Sequence, residues 1–179
     1  APEVLAAVPQ VAAQISFKAT DMVPQALSNS LWAFAHLKDD VDREVVAKLV
    51  IALACQIQDK AKDMVPQALS NSLWAAARLK DIVPEVKEIV PAIVAQIQDK
   101  AKDMIPQHVS NCLWAATRLK DDASEVLRMV PALLVEIPRI QADFKSQEIC
   151  NCLESRWRRP HENQNHLVEH FITPKNRRD

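Results

Sequence analysis

The chain has 179 residues, of which 49% are hydrophobic and 4% aromatic, with no glycine and no tyrosine. Glycine-rich phosphate loops are therefore excluded, and a β-rich fold built on tight glycine turns is disfavoured. The net charge is −1, so the chain as a whole does not supply the positive charge on which nucleic-acid affinity usually depends.

The first predicted element is a helical segment that we call type B. Close copies of it lie at residues 2–15, 84–97 and 124–137. One internal position holds proline in all three copies: Pro9, Pro91 and Pro131. Proline removes a backbone hydrogen bond there and bends or restarts a helix. Because Ile51 takes this position in a further copy, an unbroken helix fits, and we predict one bent helix per copy.

The second element, DMVPQALSNSLWA, is a helical segment of type A and sets the period of the chain. Copies begin at Asp21, Asp63, Asp103 and, in degenerate form, Asp143. The offsets of 42, 40 and 40 residues are typical of two-helix repeat units. We therefore predict an all-α fold, an α-solenoid of about 3.5 helix-pair repeats of 40 to 42 residues with a degenerate C-terminal cap.

Each A helix is predicted to begin at a proline, because the missing N–H is unpaired in a first helical turn anyway. These prolines are Pro24, Pro66 and Pro106. The helices have a broad apolar face, on which Leu31, Leu73 and Leu113 are predicted to be buried. A narrow polar line remains, which we expect to face solvent in a groove. It comprises Gln25, Asn29 and His36, then Gln67, Asn71 and Arg78, then Gln107, Asn111 and Arg118, and finally Arg158.

Three tryptophans border the polar line at one repeated position. They are Trp32, Trp74 and Trp114. We favour their interpretation as structural anchors that pack between units. The alternative is a surface on which nucleic-acid bases stack.

The connections between elements are charged. QDKAKD, at residues 58–63 and 98–103, joins a B helix to the next A helix, and its lysines are predicted to be solvated turn residues rather than a binding patch. Two extra residues lie between Lys38 and Val45, where they enlarge one surface loop.

The repeat pattern decays after Asp143, where Glu154 stands in the position of the tryptophans. A carboxylate cannot be buried against another unit, so this segment is predicted to be a capping repeat. The domain boundaries follow: residues 1–159 form the helical repeat domain, and residues 160–179 form a C-terminal cap or tail.

The cysteines indicate neither a disulfide framework nor a metal site. Cys55, Cys112, Cys150 and Cys152 fit a reducing compartment. A zinc site would combine the last two with His161, His166 and His170, but residues two apart on a helix point about 200° away from each other. We expect no metal, no cofactor, no membrane span, no small-molecule substrate and no enzymatic activity, since no nucleophile stands with a base.

The cores SNSLWAFAHL, SNSLWAAARL and SNCLWAATRL resemble the octotricopeptide repeat family and the related heptatricopeptide repeats. In that family a Leu-x-Asn-x-Leu-Trp-Ala core lies in a helix of a unit of about this length. The central copy has it as Leu69, Asn71, Leu73, Trp74 and Ala75. The resemblance implies an α-solenoid that binds RNA in chloroplasts or mitochondria.

Two functions from different classes follow. In the first, single-stranded RNA lies along the polar line, with amides at base edges and cations at phosphates. In the second, the chain is a protein scaffold or accessory subunit of a large organellar complex. Near-identity of the units supports the scaffold, because only 5 of 26 positions differ between residues 56–81 and 96–121.

Overall fold

The structure is a computed structural model that describes residues 2–154. Within this range the chain is helical and contains no strand. Its α-helices are α1 (Pro2–Lys18), α2 (Pro24–Leu37), α3 (Arg43–Lys60), α4 (Pro66–Leu79), α5 (Val90–Lys100), α6 (Pro106–Leu119), α7 (Val130–Ile140) and α8 (Ser146–Glu154). Arg158 and the predicted tail at 160–179 lie outside the described residues. The side chain of Glu154, on which the predicted cap rests, is not described either.

The helices of type A are α2, α4, α6 and α8, and the first three begin as predicted. Proline occupies the first turn of each, after an extended residue at Val23, Val65 or Ile105. An extended backbone is the conformation that a proline favours in the residue before it. The sequence thus determines these helix starts directly.

The B segments differ from the prediction in two copies. α1 runs through Pro9, and α3 runs unbroken through Ile51. In the later copies the first part is a 3₁₀ segment, at Pro84–Ile89 and Ser124–Met129, and the α-helix starts only afterwards. The prediction of one bent helix is wrong there, because Pro91 and Pro131 open α5 and α7 at positions where their missing N–H has no helical partner.

The helices pack in two rows. In the even-numbered row α2 contacts α4, α4 contacts α6, and α6 contacts α8. In the odd-numbered row α1 contacts α3, α3 contacts the 3₁₀ segment before α5, and α5 contacts the one before α7. The rows are joined by the pairs α2–α3, α4–α5 and α6–α7. One continuous apolar cluster runs from Val8 to Cys152.

The leucines predicted to be buried are buried. Leu31 and Leu73 have no exposed surface, and Leu113 is 4% exposed. Each contributes about 2 kcal/mol through removal of its side chain from water. Ala75 and Ala76 are also fully buried, since small side chains let α4 approach both α2 and α6 closely.

A basic side chain near the end of each later B helix bonds to the unit before it. The Lys60 ammonium donates to the carbonyls of Thr20 (2.6 Å) and Met22 (2.9 Å). Lys100 repeats this contact with Lys62 (2.9 Å) and Met64 (2.7 Å), and Arg139 with Lys102 (2.8 Å) and Met104 (3.2 Å). The prediction that these lysines are merely solvated is therefore wrong for Lys60 and Lys100, whereas Lys62 and Lys102 are exposed as expected.

Candidate functional site

The predicted polar line lies along one edge of the even-numbered row. In α4, Gln67, Asn71, Trp74 and Arg78 follow each other at spacings of four, three and four residues, which places them on one helical face. We call this face, with its equivalents in α2 and α6, the polar strip. Asn29, His36, Gln67, Gln107 and Arg118 are exposed, and Gln25, Asn71, Arg78 and Asn111 are half-buried.

The three tryptophans form a row of rings along the strip. The centroids of Trp32 and Trp74 are 6.3 Å apart at an angle of 34°, and those of Trp74 and Trp114 are 5.8 Å apart at 28°. Trp74 and Trp114 are half-buried, and Trp32 at the end of the row is 41% exposed. The indoles therefore pack against one another across neighbouring helices.

A cation lies on each of the two inner indoles. The guanidinium carbon of Arg78 is 5.1 Å from the Trp74 centroid, and that of Arg118 is 4.2 Å from the Trp114 centroid. Such contacts are favourable because the ring face carries negative charge. Each contact favours the guanidinium position over its indole by about 0.5 to 1 kcal/mol at such accessible sites.

His36 occupies the equivalent position in α2 and differs in charge. Its ring is 4.2 Å from that of Trp32 and 4.9 Å from that of Trp74. Burial and the nearby Arg78 charge lower the pKa of His36 below its ordinary 6.5. The ring is consequently neutral at pH 7, and the first unit brings no fixed positive charge to the strip.

Two amides of the strip bond to each other in α2. Gln25 Nε2 donates to Asn29 Oδ1 at 3.0 Å, and Gln147 and Asn151 of α8 form the same bond at 3.0 Å. The pair at Gln25 uses one donor and one acceptor out of the several that two amides offer. The Gln25 oxygen and the Asn29 nitrogen therefore keep capacity to bond a ligand.

The space between the indoles limits what can stack on them. A flat base inserted between two rings needs them about 7 Å apart, twice the contact distance of carbon atoms. The observed separations of 5.8 and 6.3 Å are shorter than this. A ligand on the strip would therefore meet ring edges, amides and arginines, and would not slide between neighbouring tryptophans.

Part of this arrangement could have been read from the sequence. Arg78 and Arg118 each follow a tryptophan by four residues, and side chains at this spacing touch on a helix. His36 follows Trp32 by the same four residues, but its stacking on Trp74 of the next helix has no such signal, because it depends on the distance between α2 and α4.

The cysteines of α8 lie in different environments. Cys150 is exposed and Cys152 is buried. Burial, together with the charge of Glu148, raises the pKa of Cys152 to about 12, and burial raises the pKa of Cys112 as well. Both buried thiols therefore stay protonated at neutral pH and act as small packing groups.

Two further features concern only the part of the chain that the structure describes. No three side chains of the metal-binding types His, Cys, Asp and Glu come together there, and His161, His166 and His170 lie outside it. No helix in the same range is both long and apolar enough to cross a membrane.

Comparison with known proteins gives no match to any family model, curated protein or solved structure. The class of the protein is therefore defined by its own features. Over residues 2–154 it is an all-helical protein in which near-identical helices bring an amide, indole and arginine strip to one edge.

Proposed function

We propose that the chain is a non-catalytic helical-repeat protein that binds single-stranded RNA along the polar strip. In this proposal it is an α-solenoid of about 3.5 helix pairs, as stacking of 40- to 42-residue units requires. The recurring contacts α2–α4, α4–α6 and α6–α8 support that architecture. By the resemblance to octotricopeptide repeats, it acts in the gene expression of a chloroplast or mitochondrion.

The observation that carries the proposal is the pair of arginines held on the indole row. Arg78 and Arg118 lie over the indoles of their tryptophans, and this contact reduces the conformational freedom that they lose when they meet phosphates. Successive indoles lie 6.3 and 5.8 Å apart, so a bound strand would pass one unit for roughly each nucleotide, as in other helical repeats that read RNA.

The amides supply the second part of the proposed interface. Gln67 and Gln107 are exposed beside the arginines, and glutamine offers both a donor and an acceptor to base edges. The net charge of the chain is −1, so RNA affinity cannot come from the electrostatic field of the chain as a whole. Affinity must therefore come from the strip itself, and it should be modest.

The test is the double reversal Arg78→Glu with Arg118→Glu, titrated with labelled RNA homopolymers at two salt concentrations. Wild type should bind at micromolar protein with salt-dependent affinity, and the reversal should lose binding, since each phosphate contact releases counterions. Lys62→Glu with Lys102→Glu is the matched control, because it changes the net charge equally at exposed positions outside the strip.

A second candidate, a protein scaffold, is favoured by one specific observation. The tryptophans pack against one another, so their repeated position is explained without a bound nucleic-acid base. The same titration separates the two functions. Absence of binding by wild type at micromolar protein eliminates the RNA proposal, whereas binding lost only in the strip reversal eliminates a pure scaffold.

A further inference from the structure

His36 lies beside two indoles of the polar strip. The distance between ring centroids is 4.2 Å to Trp32, in its own helix α2, and 4.9 Å to Trp74, in α4. Since the two indole centroids are 6.3 Å apart, the three rings form a triangle, and the imidazole contacts both indoles without separating them. His36 and Trp32 are both exposed, so a ligand on the strip can reach the imidazole.

The position of His36 holds a cation in the next two units. His36, Arg78 and Arg118 each follow a tryptophan by four residues, and the two guanidinium groups lie over the indoles of Trp74 and Trp114. Among these three side chains, imidazole alone changes its charge near neutral pH. The three units therefore offer a strand of phosphates two permanent charges and one charge that depends on a proton.

The surroundings of His36 disfavour a proton on the free protein. Burial, and after it the charge of Arg78 from α4, lower the pKa of His36 below 6.5. Other charged groups of α3, α4 and the loop after α2 have partners of their own: Lys38 with Asp39, Glu44 with Lys48, Lys80 with Asp122, Asp42 with the first turn of α3, and Arg43 and Lys60 with backbone carbonyls. Asp40 is exposed in the loop, and Asp59 is exposed at the opposite end of α3. Within residues 2–154 no carboxylate forms an ion pair with the imidazole.

A phosphate on the strip would reverse this balance. Its negative charge offsets the charge of Arg78 and also acts directly on the imidazole, and both effects favour the charged ring. A protonated imidazole donates from both nitrogens, whereas the neutral ring donates from one. The positive charge also interacts favourably with the faces of the two indoles.

We propose that His36 is a further phosphate-binding residue of the strip and that the protein takes up a proton there when it binds RNA. The inference rests on the RNA-binding function proposed above and adds its dependence on pH. Because the coupling between two ligands is reciprocal, phosphate favours the proton and the proton favours phosphate. RNA affinity therefore rises as the pH falls through the His36 pKa of the complex towards the lower pKa of the free protein.

Titration of a labelled uridine homopolymer at about pH 8 and about pH 5.5, on either side of an ordinary histidine pKa, tests this proposal. Neither the bases nor the phosphodiesters of this polymer titrate in that range. The affinity of wild type should be about fivefold higher at the lower pH, as for one added ionic contact at an accessible site. The slope of log K against log salt concentration should steepen by about 0.7, the value for one more phosphate contact on a single strand.

Two substitutions remove the titrating ring in opposite ways. His36→Arg supplies the permanent charge that Arg78 and Arg118 supply in the next units, and His36→Gln supplies none. In both variants the affinities at the two pH values should differ about fivefold less than in wild type. The matched control His108→Ala removes a histidine outside the strip and should keep the wild-type ratio. All variants retain the remaining histidines, which are His161, His166 and His170.

Nuclear magnetic resonance measures the proton uptake directly. The carbon-bound ring protons of His36 report its pKa, which should rise when the uridine homopolymer saturates the protein, whereas the pKa of His108 should stay unchanged. Wild type that binds with the same pH dependence as His36→Gln, or a pKa of His36 that does not rise, overturns this inference and leaves the RNA-binding function in place. Wild type that binds at neither pH overturns both. Circular dichroism verifies that each protein is folded at both pH values.

Discussion

Two buried serines of α4, Ser70 and Ser72, differ in their hydrogen bonding. Ser70 donates to the Gln67 carbonyl at 3.1 Å, whereas the Ser72 hydroxyl is the single buried side-chain polar atom in the described residues without a partner. In the next unit Cys112 takes the position of Ser72 and is fully buried. The site therefore tolerates a weakly polar group and gains nothing from a hydroxyl.

Removal of the Ser72 hydroxyl should stabilise the protein. Ser72→Ala is expected to raise the free energy of unfolding by about 1 kcal/mol, because an unpaired buried group loses its hydration without compensation. Ser70→Ala should lower it by a similar amount, about 1 kcal/mol. Urea denaturation of the two variants measures both, and a loss of stability in Ser72→Ala would show that its hydroxyl is bonded after all.

His108 is expected to make α6 sensitive to acid. Its Nδ1 accepts the Ile105 N–H at 3.4 Å in the first helical turn, and burial lowers the pKa of the ring below 6.5. The unfolded chain therefore takes up the proton more readily than the folded chain. Stability is lost as the pH falls from the pKa of the unfolded chain, 6.5, towards the lower pKa of the folded chain. A protonated ring could no longer accept this bond and would place positive charge at a helix N-terminus.

A substitution at His108 should flatten this pH dependence. His108→Ala introduces the residue found at the equivalent Ala26 and Ala68. The drop in melting temperature between about pH 7.5 and about pH 5 should be smaller than in wild type, since a titrating group is removed. Parallel pH profiles for the two proteins would contradict this role.

At the scale of helices, the sequence predicts what its own residues control. Pro24, Pro66 and Pro106 fix where helices start, because proline acts on its own backbone. Pro91 misled the prediction, since 3₁₀ and α helices share a similar apolar spacing and a proline fits the first turn of a helix as well as a bend within one. The contacts of Lys60 and Lys100 were also missed, because backbone carbonyl acceptors have no signature in the sequence.

In the candidate site, too, the sequence predicts the features within one helix and misses those that depend on packing between helices. Spacing alone predicts that Gln67, Asn71 and Arg78 share a face with Trp74; all four lie in α4, and Arg78 lies over the Trp74 ring. The distances between rings of neighbouring helices depend instead on how closely the alanines let α2, α4 and α6 approach. No periodicity along one chain segment contains that information.

The basic contacts between units should contribute measurably to stability. Lys100→Met leaves two carbonyls without their charged donor and should cost about 1 to 2 kcal/mol. Lys102→Met, an identical change at an exposed side chain, should stay within about 0.5 kcal/mol of wild type. Chemical denaturation compares them, and equal costs would mean that the Lys100 contact is only superficial.

For the whole molecule, the continuous core makes stability depend on neighbouring helices. Within the described residues α4 contacts both α2 and α6, whereas α1 packs mainly on α3. In repeat proteins stability is approximately the sum of units and nearest-neighbour interfaces. The centre of the chain should therefore be more stable than its beginning.

Hydrogen exchange provides the measurement for this gradient. Amides of α4 should exchange slowest and those of α1 fastest, because opening of an end helix breaks fewer interfaces than opening of a central one. Equal protection from α1 to α6 would instead show that the chain unfolds as a single cooperative unit.

The row of indoles also gives the protein an internal optical signal. Trp32, Trp74 and Trp114 are held with ring centroids 6.3 and 5.8 Å apart and are tilted by 34° and 28°, close enough for their electronic transitions to couple. Coupled chromophores in a chiral array add a circular dichroism signal to the one that each fixed indole gives alone. Displacement of one helix pair along the row would change this spectrum while the helical content stayed constant, so the alignment of neighbouring units can be followed without any added label.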